Sequence, residues 1–181
     1  MFSGWGLSWG GWLDNRRGEW WLLAQLLLIT AHLLPPWPTA AAWGLEIWPR
    51  PLFIVGVLLL LSGLVVAAQA FAALGSSLSP LPAAKQGNRL ICQGPYQRCR
   101  HPMYQAVLLC SLGVALSIGS LLHLILLMGL VAVLGGKARR EERSLLQLHP
   151  DYAAYRSTTP AIAPGLPWLD WRPRQQPVSI A

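Results

Sequence analysis

The chain has 181 residues, a formal net charge of +7, and 54% hydrophobic against 12% charged residues. A soluble domain carries roughly 25% charged residues, so this composition excludes an ordinary water-exposed surface and favours a membrane protein. The basic residues lie in short clusters beside apolar runs, which is typical of membrane topology and lipid headgroups, and we expect no nucleic-acid partner.

The chain opens with a Gly- and Trp-rich leader, residues 1–18, which fits either an interfacial anchor or an unstructured segment. The first apolar run, residues 20–34, is short for a span, since about 20 residues are typical. A cleaved signal peptide is the alternative, because Arg16 and Arg17 precede the run and three alanines follow it. We favour a retained span, because the run lies far from the start and the rest of the chain is also apolar.

The second apolar run, residues 52–74, is long enough to cross the about 30 Å hydrocarbon core of a bilayer. The third, residues 103–136, would be roughly 50 Å long as one helix. Gly119 and Ser120 near its middle predict a break, which gives two antiparallel legs, 103–118 and 121–135. A single tilted helix is the alternative. Residues 137–148 are strong helix formers, and Pro150 is predicted to end this helix. The Pro-rich segment beyond residue 164 is predicted to have little regular structure.

The predicted architecture is all-α: a polytopic helical membrane protein of about four spans, with a C-terminal helical hairpin and a cytoplasmic C-terminal helix. We expect one domain over residues 1–181: the leader, two spans within 19–88, a motif-bearing region at 89–164, and a flexible tail at 165–181. Lys and Arg residues crowd one predicted side, while the loops on the other side carry only Arg50. The positive-inside rule makes the crowded side cytoplasmic, with both termini there.

Two polar segments fall on the predicted cytoplasmic side: Gly-Pro-Tyr-Gln-Arg-Cys-Arg-His-Pro-Met-Tyr at 94–104 and Arg-Arg-Glu-Glu-Arg at 139–143. Pro102 suits a first helical turn. Arg100 and His101 would then lie beside free backbone donors, where carboxylates and phosphates bind. Because the hairpin returns the chain to the same face, the two segments are expected to meet and to offer a cationic and an anionic pocket.

A zwitterion with an apolar body would fit both pockets, and S-adenosylmethionine (SAM) is such a molecule. Arg100 or His101 would hold its carboxylate, Glu141 or Glu142 its ammonium, and the two tyrosines of the first segment its adenine or sulfonium. Each group also has an ordinary structural interpretation. Arg100 and His101 could form a loop-to-helix junction, Glu141 could form an ion pair with Lys137, and the tyrosines could be interfacial anchors.

The order of the motifs over roughly residues 94–164 resembles the isoprenylcysteine carboxyl methyltransferase family and the related bacterial phospholipid methyltransferases. The motifs are Gly-Pro-Tyr, Arg-His-Pro-x-Tyr, an apolar hairpin and Glu-Glu. The resemblance implies an integral-membrane, SAM-dependent methyltransferase with a small isoprenoid or lipid-like acceptor that enters from the bilayer. It implies cofactor-binding roles for Arg100, His101, Pro102, Tyr104, Glu141 and Glu142, to which the reasoning from residues adds Tyr96. Ala106 stands where the family commonly has glycine, and residues 160–164 lack an arginine that is often present, so the acceptor could differ.

Methyl transfer from a sulfonium is an in-line displacement that chiefly requires alignment. A carboxylate acceptor, which we favour, needs a cation to place it, and the candidates are Arg98, Arg140 and Arg143. An amine or thiol acceptor needs a proton removed, and Glu142 or His101 would do this.

Other classes fit less well. A haem-binding isomerase-like protein, or a non-catalytic relative, would use His32, His101 or His123 as axial ligands. The first and last fall near outer span ends and His101 inside, so the three are poorly placed to share a metal, and we expect no metal site. A transporter should carry ionisable residues within its spans, and these spans have none beyond histidine. Small-residue faces such as Gly63 with Ala67 would allow a homo-oligomer.

Overall fold

A computed structural model of the chain describes Asn15, residues 18–75 and residues 90–173. Regular structure in these ranges is helical, without a strand, which confirms the all-α prediction. The helices are α1 (Glu19–Ala31), α2 (Arg50–Leu74), α3 (Pro102–Ile118), α4 (Leu121–Leu148) and α5 (Tyr152–Thr158), with 3-10 turns at Ala40–Trp43 and Gly94–Gln97. The predictions for the leader, the 76–89 loop and the last residues of the tail lie outside the described residues.

Two of the helices, α2 and α4, are long and apolar enough to cross a membrane. With 25 residues, α2 is about 38 Å long. The shorter apolar helices α1 and α3 have 13 and 17 residues. The first helix ends at Ala31, earlier than the predicted 20–34 segment, because the chain turns there into a proline run that cannot continue a helix. The four-span count and the orientation stay predictions.

The predicted break in the third apolar stretch is confirmed. Gly119 ends α3 with φ 62°, a left-handed conformation that glycine adopts at little cost, and α4 starts two residues later. The alternative of a single tilted helix is therefore wrong. The second leg does not stop near residue 135, because strong helix formers follow without a proline until Pro150, and α4 runs unbroken to Leu148. Its last turns are polar and extend past its apolar part.

The helices α2 and α3 pack through small residues. A Cβ atom added to Gly113 of α3 would lie 2.6 Å from the carbonyl oxygen of Gly56 and 2.6 Å from the backbone nitrogen of Leu60, both in α2. Gly63 of α2 is similarly close to Cys110 of α3. Such close backbone approach is how membrane helices associate without a hydrophobic driving force between them. The remaining surface of α2 is largely apolar and exposed, as a lipid-facing helix would be.

Replacing Gly113 by alanine should lower the free energy of unfolding by about 1–3 kcal/mol, because the added methyl meets backbone that cannot move aside. Gly135→Ala in α4 is the matched control, since its Cβ would have only the end of the Arg139 side chain within contact, at 3.6 Å. It should be neutral, or stabilising by up to about 1 kcal/mol through helix propensity. Denaturant titrations in mild detergent compare the two, and equal effects would contradict the α2–α3 packing.

The helix α1 lies antiparallel to α4, with Trp21 against Gly136 and Leu28 against Gly129. Beyond the end of α1, His32 meets His123 near the start of α4, with ring centroids 5.5 Å apart. Both ring nitrogens of each histidine have protein partners, which include the hydroxyls of Ser111 and Ser120 and two backbone carbonyls. This cluster ties α1, α3 and α4 together at the end of the bundle farthest from the residue 139–143 segment.

The chain after α4 folds back onto the start of α3. Backbone nitrogens of Arg100 and His101 donate to the carbonyls of Pro160 and Ala161, at 2.8 and 2.9 Å. Residues 165–173 form no helix, yet Leu169 is buried, and its carbonyl accepts from the Ile162 nitrogen at 2.8 Å. The buried core at this end consists of Leu108, Leu130, Leu134, Ala138, Ala161, Ile162 and Leu169. The motif-bearing loop is thus held between the hairpin and the C-terminal segment.

Candidate active site

The loop that leads into α3 is fixed by its backbone. The 3-10 turn Gly94–Gln97 starts at a glycine with φ 62°, and Tyr96 within it is buried. The hydroxyl of Tyr155 in α5 donates to the Tyr96 carbonyl at 2.5 Å. Burial raises the pKa of Tyr155 well above its usual value, so the hydroxyl keeps this proton. Pro102 is buried at the first helical position of α3 and begins the helix directly after His101.

Glu142, near the end of α4, is the centre of a buried network. Its Oε1 accepts from Arg100 Nε at 2.8 Å and lies 3.1 Å from His101 Nε2. Its Oε2 accepts from the indole nitrogen of Trp171 at 2.9 Å and lies 3.3 Å from Arg156 Nε. The Glu142 side chain is only 3% exposed. We call these five residues the Glu142 network.

The Glu142 carboxylate stays ionised although it is buried. Burial is the largest single influence and acts to raise its pKa, but the hydrogen bonds and charges of His101 and Arg100 together lower it to about 2. Glu142 lies in the polar last turns of α4, six residues past Gly136, where the apolar part of the helix ends. It is therefore a fixed negative charge and a poor acceptor for a proton.

Most of the hydrogen-bond donors of Arg100 have partners within the protein. Its side chain is fully buried, and besides Glu142 it donates from one terminal nitrogen to the carbonyls of Arg156 and Thr159. Its other terminal nitrogen, Nη2, is buried and lacks a hydrogen-bond partner within the described residues, and so does the hydroxyl of Tyr152. Buried donors of this kind are costly unless something accepts from them. The site therefore has unused donor capacity beside Arg100.

A second group of side chains borders the network. The Tyr104 hydroxyl donates to Glu141 Oε2 at 2.9 Å, and His101 Nδ1 lies 3.7 Å from the same oxygen. The rings of His101 and Tyr104 are stacked, with centroids 5.3 Å apart and an angle of 4° between their planes. The Lys137 ammonium lies 5.3 Å from the Tyr104 ring centroid. The Glu141 side chain is 30% exposed, so it is the more accessible of the two adjacent acids.

The structure brings most of the predicted cofactor residues together: Arg100, His101, Tyr104, Glu141 and Glu142. Tyr96 and Pro102 lie in the supporting loop. The three predicted acceptor cations are placed differently. Arg98 and Arg143 are exposed, while Arg140 is half-buried and donates to the backbone carbonyl of Asn15. Their assignment to the acceptor stays a prediction.

Four residues of the site were missed by sequence reasoning: Lys137, Tyr152, Arg156 and Trp171. Tyr152 and Arg156 fall within the 94–164 range of the family resemblance, but the sequence assigned no role to either. Nothing in the sequence ties Trp171 to Glu142, because the contact joins a polar helix end to an irregular tail segment. Lys137 entered only as the partner of Glu141 in the alternative structural interpretation, whereas Glu141 bonds to Tyr104.

Comparisons with known proteins bear on the same residues. The model of the phospholipid methyltransferase family matches residues 51–150, which are more than half of the chain and include both motif segments. The cobalt-zinc-cadmium resistance protein CzcN of Cupriavidus metallidurans is 35% identical over 83 residues, which are 45% of this chain and 38% of CzcN. The chain thus spans well under half the length of this relative. No solved structure matches the chain significantly.

Proposed function

Because the chain belongs to the phospholipid methyltransferase family, a family of membrane methyltransferases that generally use SAM, we propose that it methylates an isoprenoid or lipid-like acceptor with SAM. The observation that carries the proposal is the meeting of Arg100 and His101 with Glu141 and Glu142 at the polar end of the hairpin. The apolar helices α2 and α4 support a membrane location. We further propose a multi-pass protein with both termini and this site in the cytoplasm.

The residues present fit SAM. The unpaired donor of Arg100 and the Tyr152 hydroxyl, both buried, suit a carboxylate, and His101 lies beside Arg100. Glu141, partly exposed and next to the Tyr104 ring, suits an ammonium or a sulfonium. We assign Glu142 the task of holding Arg100 and His101 in place. Tyr96 and Pro102 would shape the loop around the same site.

SAM, when bound, supplies an electrophilic methyl group on its sulfonium. The protein then has to align the acceptor with this methyl group and to exclude water from the site. In the proposed transfer an oxygen of the acceptor would bond to this methyl carbon, and the electron pair of the broken methyl–sulfur bond would stay on sulfur. We favour a carboxylate acceptor of the prenylcysteine type, because it releases no proton. The low pKa of Glu142 supports this choice, since so weak a base would serve an amine poorly.

Transfer of a labelled methyl group from SAM tests the proposal. The purified protein in lipid–detergent micelles should move label into the organic phase when offered prenylcysteines or phospholipids. Glu141→Gln should lower the rate at least about tenfold through lost cofactor affinity, the equivalent of one charge-assisted contact. Glu46→Gln, an exposed acid in the loop before α2, is the matched control and should change nothing. A folded parent that transfers no label to either acceptor class would argue against this function.

A further inference from the structure

Lys137 is a buried cation at the point where the apolar part of α4 ends. The residue is 3% exposed, its ammonium donates to Gln25 Oε1 of α1 at 2.7 Å, and it lies over the Tyr104 ring. A lysine near the end of a membrane helix ordinarily extends its ammonium to water. This one is instead held between α1, α3 and α4, where burial of a charge is costly unless it is paired.

The Lys137 ammonium bonds to the neutral side chain of Gln25, and among the described residues Glu141 is an acid that acts on it only from beyond ion-pair distance. Among the residues that the structure describes, no carboxylate lies within ion-pair distance of its ammonium, because Glu141, one turn along α4, bonds to Tyr104. An ammonium has three donors, and Gln25 accepts one of them with a neutral oxygen. Positive charge and donor capacity are therefore left for a ligand.

The position of Lys137 indicates which ligand. Side chains on a helix tilt toward its N-terminus, so Lys137 leans into the apolar part of α4, away from Glu141 and Glu142. Its partner Gln25 lies one turn from Trp21, which packs on Gly136. The ammonium thus lies on the membrane side of the Glu142 network and touches the Tyr104 ring that stacks on His101. An anionic group that enters between the Glu142 network and the apolar part of α4 would therefore pair with this ammonium.

We infer that Lys137 binds the anionic group of the lipid-like acceptor, a carboxylate or a phosphate, and so selects acidic acceptors. The inference rests on the proposed function and assigns to Lys137 the positioning role that the sequence had assigned to Arg98, Arg140 or Arg143. Gln25 orients the ammonium, which lies over the Tyr104 ring.

Binding measurements test the inference without turnover. Calorimetry in detergent with S-adenosylhomocysteine present compares two pairs of probes: an N-acetyl-S-prenylcysteine with its carboxamide, and a prenyl phosphate with the prenol. The parent should prefer the anionic member of at least one pair by about tenfold or more, and the pair that shows the preference identifies carboxylate or phosphate. Lys137→Met should reduce the preference to less than about twofold, and Lys137→Arg should keep most of it.

Gln25→Glu provides a second variant that keeps the lysine. Its carboxylate would pair with the Lys137 ammonium and compete with an acidic ligand, so the preference should again fall at least about fivefold, while Gln25→Leu keeps it. A parent without preference in either pair, or a preference that survives Lys137→Met and Gln25→Glu, would overturn the inference. Affinity for S-adenosylhomocysteine should stay unchanged in all four variants. A parent that fails to bind this cofactor product would count against the proposed function instead.

Discussion

Glu142→Gln should lower the free energy of unfolding by about 3–5 kcal/mol, the cost of breaking a buried ion pair from one side. The carboxylate is 3% exposed, accepts hydrogen bonds from Arg100 and Trp171, and lies within ion-pair distance of His101 and Arg156. A neutral amide leaves the Arg100 charge buried without a counterion. Since the pKa of Glu142 is lowered in the folded protein, its contribution is complete at neutral pH and is lost only as the pH falls below the usual value of a carboxyl toward 2.

Denaturant titration in mild detergent at neutral pH measures the effect. The adjacent Glu141→Gln is the matched control, because its carboxylate is 30% exposed and, among the described residues, bonds to Tyr104 and lies farther from His101. It should cost less than about 1 kcal/mol. Equal losses in the two variants would show that Glu142 is not the centre of the network.

Arg100→Met should be comparably destabilising, by about 3–5 kcal/mol, because it leaves Glu142 without its closest partner and two backbone carbonyls without a donor. Arg98→Met, two residues earlier and exposed, is the control and should stay within about 0.5 kcal/mol of the parent.

The double variant Arg100→Met with Glu142→Gln separates a specific pair from general loss of packing. Once the carboxylate is gone, removal of the guanidinium also removes an uncompensated charge. The double variant should therefore lose at least about 1 kcal/mol less than the sum of the two single variants. Additive losses would contradict direct coupling between these two side chains.

Local signals in the sequence predicted the helical elements and the hairpin. Gly119 marks the turn because few other residues adopt its backbone conformation cheaply, and Pro102 marks the start of α3. The hairpin then forces the loop before α3 and the end of α4 onto one face. These two facts were enough to predict that Arg100 and His101 meet Glu141 and Glu142.

Local signals could not predict which residue of the site is buried and which contacts it makes. Glu141 and Glu142 are chemically identical neighbours, about 100° apart around α4, and only the packing of α3 and the C-terminal segment decides which one is buried. The contacts of Glu142 with Arg156 and Trp171 involve residues that carry no periodic signal. Lys137 was given no role for the same reason, because the local alternative, an ion pair with Glu141, does not reveal its long-range contact with Gln25.

Calorimetric titration of SAM into the detergent-purified protein tests the central claim most directly. We expect saturable binding in the micromolar range that Glu141→Gln weakens at least about tenfold and Glu46→Gln leaves unchanged. Absence of binding to a folded parent, both with and without added lipid, would contradict a SAM site at the meeting of the loop before α3 with the end of α4.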